Sequence, residues 1–290
     1  MTIFMKSLFG HSSKAVFIVV LVVMTTSCSF KTMYKQLDFL IPSYVEGMVS
    51  LDSMLEEKVE QRTLVLINWH RNTQLHQYAE WLRALQRDVN NQLTEEQMLQ
   101  YIATLDSFWQ SLSLKVNEEM VRLLPLLNAE QREELFSNIT DKNDGFREDY
   151  VDVDKNERIA QYTDRIMDSY ETWLGNLTDK QESTVTQAAA KIQATAGLRL
   201  ARRQQWQQSI KRILETKDST TQKAESLGQY FKDFNSKDNV TMNTIDKMNR
   251  QLLARLTVQI VYSMTDEQNA HFVSRTNDYI RMFNELAKER

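Results

Sequence analysis

Residues 93–125 read LTEEQMLQYIATLDSFWQSLSLKVNEEMVRLLP, and this stretch decides the fold class. Met98, Ile102, Leu105, Trp109, Leu112, Val116, Met120 and Leu123 recur every three or four residues, the spacing that lines one face of an α-helix. Thr94 followed by Gln97 marks the start, because an N-cap hydroxyl and an N3 amide satisfy each other's main-chain N–H groups. Pro125 marks the end. The helix read here is therefore long, amphipathic and bounded on both sides.

The same grammar extends outward. With two prolines and six glycines in 290 residues, the chain lacks the punctuation of a strand-and-turn architecture. Tyr34, Leu37, Leu40 and Ile41 predict a short helix stopping at Pro42. A long stripe from about Asp52 to Val89 predicts a helix with a bend near Trp69 to Thr73. Further helices are expected at 129–149, 155–174, 179–196, 198–216, 221–234, 241–263 and 266–288. Leu256, Val258, Ile260 and Tyr262 alternate like a strand, but Ile245, Met248, Leu252, Leu256 and Ile260 favour helix. The expectation is all-α: an elongated bundle of roughly eight to ten helices with capping-box starts. Any seam falls in the charged stretch 141–157.

The first residues read as a targeting segment. Lys6, His11 and Lys14 precede an apolar run from Ala15 to Met24, then Thr25-Thr26-Ser27 and Cys28, the only cysteine. The run is shorter than the ~20 residues of a spanning helix. Small residues followed by cysteine resemble the bacterial lipobox, with Thr25 where an aliphatic residue is usual. That resemblance implies removal of residues 1–27 and acylation of Cys28, palmitate included; Ser29 implies the outer membrane and a body, residues 28–290, on its periplasmic face. With the thiol consumed no disulfide can form. Losing Lys6 and Lys14 lowers the formal charge by two from −4, and such a surface argues against nucleic acid as a partner.

Leu93-Thr94-Glu95-Glu96-Gln97 recurs as Leu177-Thr178-Asp179-Lys180-Gln181, with variants at Leu127-Asn128-Ala129-Glu130-Gln131 and Met264-Thr265-Asp266-Glu267-Gln268. The spacings of 34, 50 and 87 exclude a fixed-period solenoid. Helix capping accounts for all four. The L-T-x-x-Q pattern also resembles the Spy and CpxP periplasmic proteins, which implies a chaperone or envelope-stress role. Tyr34-x-Gln36-Leu37-Asp38-Phe39-Leu40-Ile41-Pro42-x-Tyr44-Val45, Trp69-His70-Arg71 and Tyr78-Ala79 resemble an uncharacterised family of Gram-negative lipoproteins, a domain of unknown function. That resemblance implies a lipoprotein and a helical fold, with no activity attached.

Catalytic and metal signatures are sparse. His70 and His76 are six apart, on different faces of one helix, unlike the i, i+4 pair of a helical zinc site. Asp152-Val153-Asp154-Lys155-Asn156 begins like a calcium loop, but Glu157 and Thr163 stand where glycine and glutamate are needed. Neither a metal site nor a cofactor is expected. An enzyme would have to gather His70, Arg71 and a carboxylate in a deep pocket; a histidine bonded to a neighbouring helix is the plainer expectation. Arg199, Arg202 and Arg203, with Lys211 and Arg212, surround Trp206. They form either a site for a lipid headgroup or acidic partner, or a solvated face with a core tryptophan. The expected function is a non-catalytic binding or adaptor role at the envelope, with an envelope protein or unfolded clients as partners.

Overall fold

The computed structural model describes the backbone of residues 27–236 and 240–289, and the side chains of 30–234 and 240–289. The expected signal segment, up to residue 26, and the Cys28 thiol lie outside them. The described chain is all helix: α1 (Ser27–Lys35), α2 (Leu37–Glu46), α3 (Ser53–Thr73), α4 (Leu75–Asn90), α5 (Glu95–Leu123), α6 (Ala129–Tyr150), α7 (Lys155–Leu174), α8 (Asp179–Ala189), α9 (Ala196–Glu215), α10 (Thr220–Ser236), α11 (Val240–Tyr262) and α12 (Asp266–Lys288). The ambiguous window at Leu256–Tyr262 is helical within α11.

Local chemistry explains the boundaries. The bend expected near Trp69 to Thr73 is a break at Gln74. There the Thr73 hydroxyl donates back to the Trp69 carbonyl at 2.7 Å, and the Thr73 carbonyl is taken by the Gln77 side-chain amide at 2.7 Å. Back-bonding of this kind bends helices. Before Pro125 the α-helix gives way to a 3-10 turn, Leu124–Leu126. Pro42 departs from expectation: α2 runs through it to Glu46. Its ring removes only the bond to Asp38, whose residue is exposed to water, while Pro42 itself is buried. The helix expected at 179–196 stops at Ala189. Beyond it, Asn249 of α11 serves the extended chain, accepting from Gln193 N at 3.0 Å and donating to Gln193 O at 2.8 Å. Of the stretch 141–157, residues up to Tyr150 belong to α6, and the chain breaks only at 151–154. Asp154 then caps α7 by accepting from Asn156 N and Glu157 N.

The axis of the bundle is one long hairpin. α3 and α4, end to end, run antiparallel to α5, as Arg62–Glu119, Tyr78–Phe108 and Trp81–Tyr101 contacts in descending order show. α12 lies along α4 and touches α7 and α1, and α11 lies along α5 with α8 bridging to α7. At the other end α6, α9 and α10 gather around the close of α5. The core is consequently a series of four clusters rather than one mass, centred on Leu75/Phe283, Val185/Ile260, Leu214/Leu227 and Leu55/Val49.

α1 is seated firmly and runs parallel to α12. Phe30 stacks on Tyr34 and meets Tyr279 and Phe283 edge-on, while Lys31 pairs with Glu285 at 2.6 Å and Lys35 with Glu289 at 2.8 Å.

Candidate functional site

All four L-T-x-x-Q-like starts form complete capping boxes. Two of them also cross. The Gln181 amide donates to Gln268 Oε1 at 2.9 Å, and the Gln268 amide donates to Gln181 Oε1 at 2.8 Å. Each also reaches the carbonyl just before the other's motif: Gln181 to Ser263 O at 3.2 Å and Gln268 to Asn176 O at 2.7 Å. Both glutamines are buried, so full satisfaction matters. The approach to this crossing turns at Gly175, whose φ of +77° suits glycine and where an added Cβ would meet the His271 ring at 3.6 Å. A fifth box, Ser219 with Gln222 at the start of α10, was missed by sequence reading because Asp218 precedes it in place of an aliphatic residue.

His70 sits between two phenols. Its Nδ1 is 3.0 Å from Tyr34 Oη of α1, and its Nε2 is 3.2 Å from Tyr78 Oη of α4. Burial raises the Tyr34 pKa, and the nearby Arg71 charge opposes that rise. Burial lowers the His70 pKa to about 4 and raises that of Tyr78 to about 12. Arg71 also donates to the Glu289 carbonyl at 3.3 Å. Both members of the candidate pair thus tie helices together, and neither lines the cavities described below.

The arginines of α9 are distributed among neighbours. Arg199 pairs with Asp246 of α11 at 2.7 Å; Arg202 lies over the Phe234 ring and Arg203 over the Phe146 ring. Burial lowers the Arg203 pKa. Trp206 stacks on Phe231 inside a core cluster. The four side chains thus turn to four different partners, on α11, α10, α6 and in the core.

An open groove lies elsewhere, where α4 and α5 diverge. It encloses about 550 Å³ and is lined by Trp81, Tyr101, Phe108, Glu80, Asp88 and Gln100 among others. Trp81 Nε1–H donates to Tyr101 O at 3.2 Å, and Tyr101 Oη–H donates to Asp88 Oδ2 at 2.6 Å. Burial, followed by the bond to Asp88 and its charge, holds the Tyr101 phenol well above its usual range. Sequence reading assigned Trp81 to a core stripe and passed over Tyr101 and Phe108. The signal was a second stripe on α5, Gln97, Tyr101, Thr104 and Phe108, beside the one that packs. A smaller cavity of about 400 Å³ near α2 is bordered by Asp38, Glu46, Glu56 and Glu60, with Phe39 70% exposed beside it.

Among the described residues no group of three or more His, Cys, Asp and Glu side chains is arranged to hold a metal ion, and no helix is long and apolar enough to cross a membrane. One family model, described as "Family of unknown function (DUF6279)", matches residues 48–238, and the chain belongs to that family. No curated protein and no solved structure matches the chain.

Proposed function

We propose that this member of the DUF6279 family is a non-catalytic binding protein of the cell envelope, acylated on Cys28 and facing the periplasm from the outer membrane. The observation that carries the binding role is the groove between α4 and α5. Three aromatic rings, Trp81, Tyr101 and Phe108, line an open cavity of about 550 Å³. The anchoring half is supported by the signal-and-cysteine pattern and by α1. That helix begins at Ser27 and is fixed to α12 within a few residues of the cysteine, so acyl chains there hold the body close to the bilayer.

His70 supports the non-catalytic reading, since both ring nitrogens face phenols of the fold; the alternative, an enzyme using His70, has to free one of them. A photocrosslinker at Gln100 in living cells is expected to capture one discrete partner. Diffuse background indistinguishable from a crosslinker at exposed Lys180 would end the adaptor reading. Cys28→Ala is expected to abolish acylation and membrane sedimentation; a variant that still pellets with membranes removes the anchor.

The second reading, a Spy- or CpxP-like chaperone, is favoured by the four capping boxes and the crossing of two of them. It requires the soluble protein lacking residues 1–28 to suppress aggregation of an unrelated client. Failure at several-fold excess removes it.

A further inference from the structure

From the chemistry of the groove between α4 and α5 we infer that its occupant is an extended peptide segment of a partner carrying lysine or arginine flanked by aliphatic residues. The inference rests on reading that groove as the binding face. Three properties support it.

The polar ends of two rings are spent inside the protein, Trp81 on the Tyr101 carbonyl and Tyr101 on Asp88. What they offer to a ligand is apolar edge and π-face, which attract both aliphatic groups and cations.

The charge on the lining has one sign. Glu80 and Asp88 contribute carboxylates, and neither Lys nor Arg is among the lining residues. Glu80 is 74% exposed and its partner, Arg83, lies on its own helix three residues on, so a second cation can approach it from the groove. Phosphate-bearing ligands meet carboxylates here, and a neutral glycan brings no charge to pair with them.

The groove spans residues 76–88 of α4 and 97–108 of α5, about 17 Å at 1.5 Å per residue. That length takes about five residues of extended chain at ~3.3 Å each. Gln100 and His76 supply hydrogen-bonding groups suited to a peptide main chain.

The test uses the full acylated protein in detergent and fluorescence anisotropy with a short labelled peptide alternating leucine and lysine. The comparators are its leucine–glutamate counterpart and the neutral glycan chitotriose as competitor. The lysine peptide is expected to bind at least about tenfold more tightly at low salt, weakening as salt rises. Glu80→Lys is expected to reduce that preference by about fivefold, the scale of a partly exposed charge contact, with an unchanged circular dichroism spectrum as the check on folding. Equal binding of both peptides, or no effect of Glu80→Lys on the preference, overturns the inference. So does displacement of the lysine peptide by chitotriose. If the Gln100 crosslinker still captures a discrete partner while the peptides do not discriminate, the inference falls and the binding face stands. If neither peptide binds and no partner is captured, both fall.

Discussion

The molecule crosses a pair of helix starts twice, and the two crossings differ by one residue. At Leu177–Gln181 and Met264–Gln268 the exchange is mutual. At Leu51–Leu55 and Leu127–Gln131 it runs one way: the Gln131 amide donates to Ser50 O at 3.0 Å, the carbonyl just before Leu51, as Gln181 and Gln268 do to their opposite numbers. The position that should answer it holds Leu55, 2% exposed and packed with Val49 and Leu127. A carboxylate makes up part of the loss, since Glu134 accepts from Ser50 N at 2.7 Å and Ser50 Oγ at 2.9 Å. The same junction can therefore be held by two amides or by one amide, an apolar plug and an acid.

The comparison fails or stands on a graded series of substitutions. Gln268→Ala removes a capping partner, leaves the buried Gln181 amide with Ser263 alone, and takes the side-chain donor from the Asn176 carbonyl. Its expected cost is about 4 kcal/mol in urea unfolding. A cost no greater than that of Gln131→Ala would show that reciprocity adds nothing.

A pH series separates both crossings from the histidine. The glutamine amides do not titrate, whereas His70 falls from 6.5 to about 4 on burial. Above pH 6.5 both folded and unfolded chains hold it neutral. As pH drops below that, the unfolded chain binds the proton first, so stability declines by up to about 3 kcal/mol by pH 4. This decline is expected to persist in Gln268→Ala and to shrink by that amount in His70→Phe, measured as midpoint shifts across the range.

Gln131→Ala is expected to cost about 2 kcal/mol, losing its box and the bond to the Ser50 carbonyl. Gln97→Ala, an exposed box with no crossing, should cost less than about 1 kcal/mol. Equal losses at these two positions would erase the half crossing as a distinct feature.

Much of this was legible in the sequence, and the reasons differ by residue. The helices from α5 onward follow from 3.6-residue periodicity and from Thr or Asn paired with Gln, both local signals. Gln74 was legible only as irregularity, because the break depends on where Thr73 and Gln77 turn their side chains. Pro42 was misread since a single proline is decisive only when the helix around it lacks other support. The crossing of Gln181 with Gln268 spans 87 residues, so each motif announced its own helix and nothing about the other. For the same reason Arg199, Arg202 and Arg203 looked like one basic face, although α11, α10 and α6 each draw one away. The groove was invisible because Trp81 and Tyr101 have core-like periodicity; the divergence of α4 from α5 leaves them accessible.

The parallel seating of α1 on α12 has a consequence in time. A chain made from its N-terminus presents α1 early, yet the surface that receives Phe30, Lys31 and Lys35 consists of residues 279–289. Until those residues arrive, α1 is held only through Tyr34, by its bond to His70 and its packing near Leu75. Docking of α1 is therefore completed only by α12, and a chain stopped short of residue 279 would leave Phe30, Lys31 and Lys35 unfastened.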